Sequence, residues 1–195
     1  MASTTSTVES SDLDVSQFRH TPFYCEENVY FLCKKLCTNR MGDAREADLF
    51  VVFISNEKKQ RKKEGEFPFL VWDLDSTLPL PLPLGSYVSQ AIRPSFQISP
   101  EFQRLFRIIH APILFRHFAS DRRHMKDSNG NWMAKPPDYE AIVAEDGTIH
   151  NLNEYMEIKA ADVYPNNNID VRDAIFFRKL GVVTNDLGEF FSQIL

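Results

Sequence analysis

Residues 48–66 constrain the fold of this 195-residue chain more than any other stretch. The run Asp48 to Ser55, D-L-F-V-V-F-I-S, is apolar at consecutive positions. A strand reads this way when both its faces are covered, so the run predicts a β-strand buried on two sides. The residues that follow, N-E-K-K-Q-R-K-K-E-G-E over 56–66, carry no large apolar side chain and belong in a solvated loop. Both covering layers must therefore come from elsewhere in the chain.

The rest of the sequence can supply them. Hydrophobic residues make up 43% and include 16 phenylalanines, enough for a core without disulfides or metals. Thr21-Pro22 predicts a helix start, with Glu26 and Glu27 in the first turn, where the helix dipole favours acids. Val29, Leu32, Cys33, Leu36 and Cys37 then follow helical spacing. A second strand is expected over Phe69–Leu74, with Val71, Asp73 and Asp75 on one face. Leu78–Leu84, L-P-L-P-L-P-L, must be extended, because each proline fixes φ and removes a donor. Ser99-Pro100-Glu101 predicts a helix running on through Phe102, Leu105 and Phe106, with Arg107–His110 turning to strand. Further expectations are a helix over Ile113–Phe118, a turn at Asp127–Asn131, a short strand at Ala141–Ala144 and a turn at Glu145–Gly147. Asn151 is expected to cap a helix through Ile158, and Thr184 or Asn185 a last one ending near Leu195. Strands and helices that mix without regular alternation point to an α+β fold. Residues 1–17 read as a disordered tail and 18–195 as a single domain.

Charge and cysteine usage narrow the function. A net charge of -5 and a pI near 5.6 argue against nucleic acid as the main partner. The basic run Lys58, Lys59, Arg61, Lys62 and Lys63 has no interleaved aromatics and reads first as a solvated loop, second as a contact for acidic partners. Three cysteines, all between Cys25 and Cys37, suggest reduced thiols and an intracellular home. No signal peptide or membrane-spanning run is read, no zinc-ligand spacing and no Gly-rich phosphate loop, so no metal or cofactor is expected.

Cys25 is the first chemical candidate. A thiol at a helix N-terminus has its thiolate favoured by the dipole and by free N–H groups, although Glu26 and Glu27 oppose it. A buried structural thiol is the competing reading, and it is the stronger one for Cys33 and Cys37. Asp73 and Asp75 alternate with large apolar residues and face either solvent or a site. A thiol nucleophile needs an imidazole within reach, and the chain offers His20, His110, His117, His124 and His150. His20 precedes the helix and can fold back; each of the others reads singly as a surface or locally bonded histidine.

Four stretches taken together carry a resemblance. F-Y-C-E-E-N-V-Y at Phe23–Tyr30, F-V-V-F-I-S-N-E at Phe50–Glu57, V-W-D-L-D-S-T-L-P at Val71–Pro79, and F-A-S-D-R-R-H-M-K-D with S-N-G-N-W at Phe118–Trp132 resemble, in order, the motifs of the protein N-terminal glutamine amidohydrolase family. The resemblance implies a papain- or transglutaminase-like thiol hydrolase fold, with a Cys-bearing helix packed on a mixed or antiparallel sheet. It implies a Cys-His-Asp triad with Cys25 as nucleophile and Asp73 as orienting acid. It also implies deamidation of the N-terminal glutamine of protein or peptide substrates in the N-degron route, in the cytoplasm and nucleus; nothing in the sequence demands more than a monomer.

The family's histidine lies in a W-D-Y-H-V motif between the F-I-S-N-E strand and the D-L-D strand. Here Glu57 leads through the basic run directly to D-L-D, and no histidine occurs from Thr21 to Ile109. A segment with at least one strand is therefore expected to be missing, leaving an unpaired strand edge beside the gap. An inactive or nearly inactive enzyme is the first expectation. A non-catalytic form that binds N-terminal peptides or acidic partners is the alternative. Rescue by His124 or His110 requires one of them to reach Cys25.

Overall fold

The computed structural model describes residues 18–39, 49–56, 69–92, 104–164 and 170–194. The expected tail over 1–17, the basic run at 58–63 and the start of the helix expected at Ser99 lie outside the described residues.

The architecture is α+β, with antiparallel sheets and helices in irregular order. A three-stranded sheet has the order β1 (Phe50–Asn56), β4 (Arg104–His110), β5 (Val182–Thr184). Its centre is β4, in which Leu105 through Ile109 are all buried. A small second sheet pairs β2 (Leu70–Val71) with β3 (Leu82–Pro83). The helices are α1 (Cys25–Asn39), α2 (Leu84–Tyr87), α3 (Ala111–His117), α4 (Leu152–Met156), α5 (Val171–Phe177) and α6 (Leu187–Ile194).

The sheet is covered on both faces. Tyr30 and Cys33 of α1, Leu114 of α3 and Tyr155 of α4 pack with Val51, Ile109 and Phe118. Phe106 and Ile108 turn the other way, onto Ala174 and Ile175 of α5 and Phe190 and Phe191 of α6. This alternation within one strand is the period-two rule at work. Gly181 makes the approach of β5 possible. Its φ is +59°, and a Cβ there would lie 1.9 Å from the Ile108 carbonyl oxygen.

Several elements depart from the sequence reading. The first helix begins at Cys25, later than Thr21-Pro22, because Phe23 takes a left-handed φ of 72° and cannot continue a helix. The strand at β1 exists, but it is less buried than expected. Val51 is buried, whereas Ile54 is 40% exposed, because β4 covers one edge and no described strand pairs with the other. The strand expected over Phe69–Leu74 shrinks to Leu70–Val71, since the chain turns at Asp73, whose carbonyl accepts from Ser76 N. Leu105 and Phe106 are strand, not helix: pairing with β1 and β5 overrides the local signal. Ala141–Ala144 reduces to a single bridge between Ser120 and Ile142. Asn151 precedes α4, yet its carboxamide bonds Ala119 N and the His117 carbonyl instead of capping the helix. The last helix is capped by Asp186, whose carboxylate accepts from Glu189 N. Helix α3 and the turns at Gly130 and Gly147 (φ 85° and 84°) match expectation.

Candidate active site

The thiol's position is set by the turn before it. Asn28, buried in the first turn of α1, uses its carboxamide twice on one residue: Oδ1 accepts from Thr21 N at 2.8 Å and Nδ2 donates to Thr21 O at 2.9 Å. Tyr24 is fully buried and its hydroxyl donates to the Ala134 carbonyl. These contacts hold Phe23 in its left-handed conformation although its side chain is 70% exposed. An aromatic residue with positive φ is strained, and the strain here fixes where Cys25 enters the helix.

Cys25 is exposed and stands at the rim of a cleft of about 320 Å³ bounded by α1, β1 and the 69–75 stretch. Asp75 lines the same cleft, close enough to act on the thiol's titration. His20 Nε2 is 2.9 Å from Asp75 Oδ1, so the imidazole meets the carboxylate that acts on the thiol. Partial burial, together with the carboxylates of Asp75 and Glu26, pushes the Cys25 thiol up to about 11. The bond from His20 and the nearby Cys25 thiol hold the Asp75 carboxyl below its ordinary value. At neutral pH the thiol is therefore protonated in this arrangement.

Asp73 lines the same cleft but is engaged differently. Its Oδ1 accepts from Asp75 N at 3.1 Å and its Oδ2 from the Tyr87 hydroxyl at 2.7 Å. Of the two carboxylates in D-L-D, it is Asp75 that acts on the thiol.

A second polar layer lies behind the thiol. Arg122, itself in a left-handed conformation, donates from Nε to Glu27 Oε1 at 2.8 Å and from Nη2 to Oε2 at 3.1 Å, with both side chains buried. It also donates to the carbonyls of Pro137, Tyr139 and Glu140. Glu26 Oε1 accepts from Ser120 Oγ at 3.3 Å and lies 3.2 Å from His124 Nε2. Burial raises the Glu26 carboxyl, and His124 counters part of that rise. The A-S-D-R-R-H stretch thus braces the N-terminus of α1 from the side away from the cleft.

Neither histidine considered for rescue reaches the thiol. His124 meets Glu26, and His110 meets Phe176 edge to face with ring centroids 4.6 Å apart. Asp75 was visible in the sequence only as the partner of Asp73, and Tyr87 and Arg122 were not singled out. A buried Glu in a first helical turn implies a cation, and R-R in a motif-rich stretch was the available signal. Among the described residues no group of three or more His, Cys, Asp or Glu is arranged to hold a metal.

The model of N-terminal glutamine amidase matches residues 20–63 and 59–192. The chain belongs to the N-terminal glutamine amidase family. It is 49% identical to the protein N-terminal glutamine amidohydrolase of Arabidopsis thaliana, over 96% of this chain and 98% of that one. It is 46% identical to that of Oryza sativa subsp. indica, over 93% and 90%, and 35% identical to that of Homo sapiens, over 69% and 76%.

These alignments also measure the gap within the family pattern. The Arabidopsis alignment spans 216 positions, whereas 96% of 195 residues is about 187, so about 29 positions have no counterpart here. The rice alignment gives 211 against about 181, a difference of about 30. The two matched parts meet at 59–63, which puts the break between β1 and β2, where the motif reading expects the histidine-bearing segment.

The electrostatics yield a direct test. Asp75→Asn removes both the charge and the strong acceptor that raise the thiol. The Cys25 titration, read from the pH dependence of iodoacetamide labelling, should move from about 11 toward the ordinary 9.0, with burial keeping it somewhat above. An unchanged profile would show that Asp75 does not govern the thiol.

Proposed function

We propose that this chain has the family's activity, deamidation of the N-terminal glutamine of a protein to glutamate, with Cys25 as nucleophile, and that it turns over slowly in the form described. The carrying observation is an exposed thiol at the first position of α1, facing a cleft shared with Asp73 and Asp75. A Cys-bearing helix laid on an antiparallel sheet is also what supports the papain- or transglutaminase-like reading of the fold.

The chemistry is that of a thiol hydrolase. The Cys25 sulfur attacks the side-chain amide carbonyl, ammonia departs after protonation, and water releases the glutamyl thioester to restore the thiol. Backbone N–H groups at the start of α1 would donate hydrogen bonds to the oxygen as negative charge develops on it. In this reading Asp73 orients the base, as the family motif implies, held meanwhile by Tyr87. Glu26 and Glu27, the nearest acids in sequence, are both engaged, Glu26 by Ser120 and His124 and Glu27 by Arg122, which leaves Asp73 and Asp75 as the carboxylates that line the cleft where the substrate's α-ammonium would lie. No cofactor enters the reaction. The expected setting is a monomer in the cytoplasm and nucleus, where a new N-terminal glutamate marks proteins for degradation.

The slow turnover follows from the lack, among the described residues, of an imidazole acting directly on Cys25. Among the described residues, the imidazole linked to Cys25 is His20, and it acts only through Asp75. General acid–base catalysis contributes roughly 10²–10⁴-fold. Ammonia release from a Gln-initiated peptide should thus run at least about 100-fold below that of the Arabidopsis relative assayed beside it. Cys25→Ala should remove what remains. A rate matching the relative's would overturn the slow-turnover reading, and a rate unaffected by Cys25→Ala would overturn the nucleophile.

A further inference from the structure

The cleft beside Cys25 has the geometry of a strand-wide slot. The two faces of β1 pack in different clusters. Val51 faces α1 and α3, while Phe50 and Val52 face the side of α5 and α6. Yet the cleft is lined both by Leu32 and Leu36 of α1 and by Leu187 and Phe191 of α6. A void that touches both packing layers must pass around an edge of β1. One edge is occupied by β4 in continuous register from Phe50–His110 to Asn56–Arg104, so the void lies along the other. Its far wall is Phe69 to Trp72, the stretch that holds β2.

The elements that bound this slot are those that flank the break in the family match. β1 ends at Asn56 and β2 starts at Leu70, and the two matched parts of the family model meet between them, at 59–63. The sequence over 57–66 is polar or charged throughout, apart from Gly65. A strand edge offers a row of N–H and C=O groups that pair with an added strand, and apolar walls on both sides select a strand apolar on both faces.

We propose that this slot is a docking site for an extended, apolar segment supplied in trans, and that the segment which relatives carry at the break is its fitting occupant. It would add as a strand on β1, between β1 and β2, with its side chains beside Cys25, Asp73 and Asp75. The chain is then one part of a two-part fold, completed by the peptide that the other members of the family hold in cis. The further expectation that docking changes the thiol rests on the catalytic reading of Cys25.

The test uses the full chain and a synthetic peptide of the Arabidopsis sequence that aligns opposite the break. Trp72 lines the slot, and the second tryptophan, Trp132, is surface-exposed against Lys126, so Trp132→Phe leaves a reporter in place. The peptide should change Trp72 fluorescence saturably and raise the midpoint of thermal unfolding, while a scrambled peptide of equal composition does neither. Ile54→Lys, at a slot residue already 40% exposed, should weaken binding at least about tenfold in a chain whose circular dichroism is unchanged. Equal binding of the scrambled peptide, absence of binding, or full binding by folded Ile54→Lys would overturn the proposal. So would sedimentation showing that a second copy fills the slot and excludes the peptide. Docking that leaves iodoacetamide labelling of Cys25 and ammonia release unchanged would uphold the slot and count against the catalytic reading alone.

Discussion

Glu27→Ala should cost about 3–5 kcal/mol of stability, the range for removing one partner from a buried ion pair. The reason is what remains behind. Arg122 cannot lose its proton, and its guanidinium is walled in by the carbonyls of Pro137, Tyr139 and Glu140 and by the Tyr139 ring at 4.9 Å. Those carbonyls supply partial charge only; the neutralising charge comes from Glu27, which is itself fully buried. Against a typical total of roughly 5–15 kcal/mol, such a loss removes much of the margin. For a chain of this size it corresponds to a fall of about 6–20 °C in Tm. Glu27→Gln keeps the shape and one acceptor and should lose less. Urea unfolding of the two variants checks both the size and the order, and a loss under about 1 kcal/mol for Glu27→Ala would show that Arg122 finds water or another anion. The consequence reaches the site, because the same pair fixes the turn of α1 that starts at Cys25.

What the sequence revealed and what it hid divide by range of interaction. Helix α1 was legible because Val29, Leu32, Cys33 and Leu36 repeat at helical spacing, and the turns at Gly130 and Gly147 because only glycine sits easily at φ near 85°. The apolar run of β1 announced a strand, but its burial depends on neighbours that no local pattern encodes. Leu105 and Phe106 look helical beside Ser99-Pro100-Glu101, yet they become strand because Ile54 and Ser55 stand ready to pair with them. The site has the same character. Cys25 at a helix start is a local feature, whereas the contact of Asp75 with His20 joins residues 55 apart. The choice between Asp73 and Asp75 was beyond a strand model, which puts both on one face. The turn at Asp73 breaks that symmetry, sends one carboxylate to Tyr87 and leaves the other to act on the thiol.

Arg107→Met is expected to cost about 3 kcal/mol or more, and it probes how the sheet carries the rest of the chain. Arg107 lies mid-strand in β4, 6% exposed, at a position where an apolar residue would suit the packing. Its three nitrogens instead donate to three carbonyls from two stretches: Tyr155 at 3.2 Å and Glu157 at 3.0 Å at the end of α4, and Leu180 at 2.9 Å. One side chain thereby ties α4 and the approach to β5 onto the central strand. Burial lowers the Arg107 pKa, the mark of a charge held at some cost, and methionine would relieve that cost. It would also strand three acceptors, each worth roughly 1–3 kcal/mol when unsatisfied, so the loss outweighs the relief. Arg107→Lys discriminates between charge and geometry. Lysine keeps the charge but cannot span three carbonyls in a plane, and it should recover less than half of the stability lost to methionine. Chemical denaturation of the two variants reads the difference. Full rescue by lysine would mean that the positive charge alone, through Asp162 nearby, holds this end of the sheet.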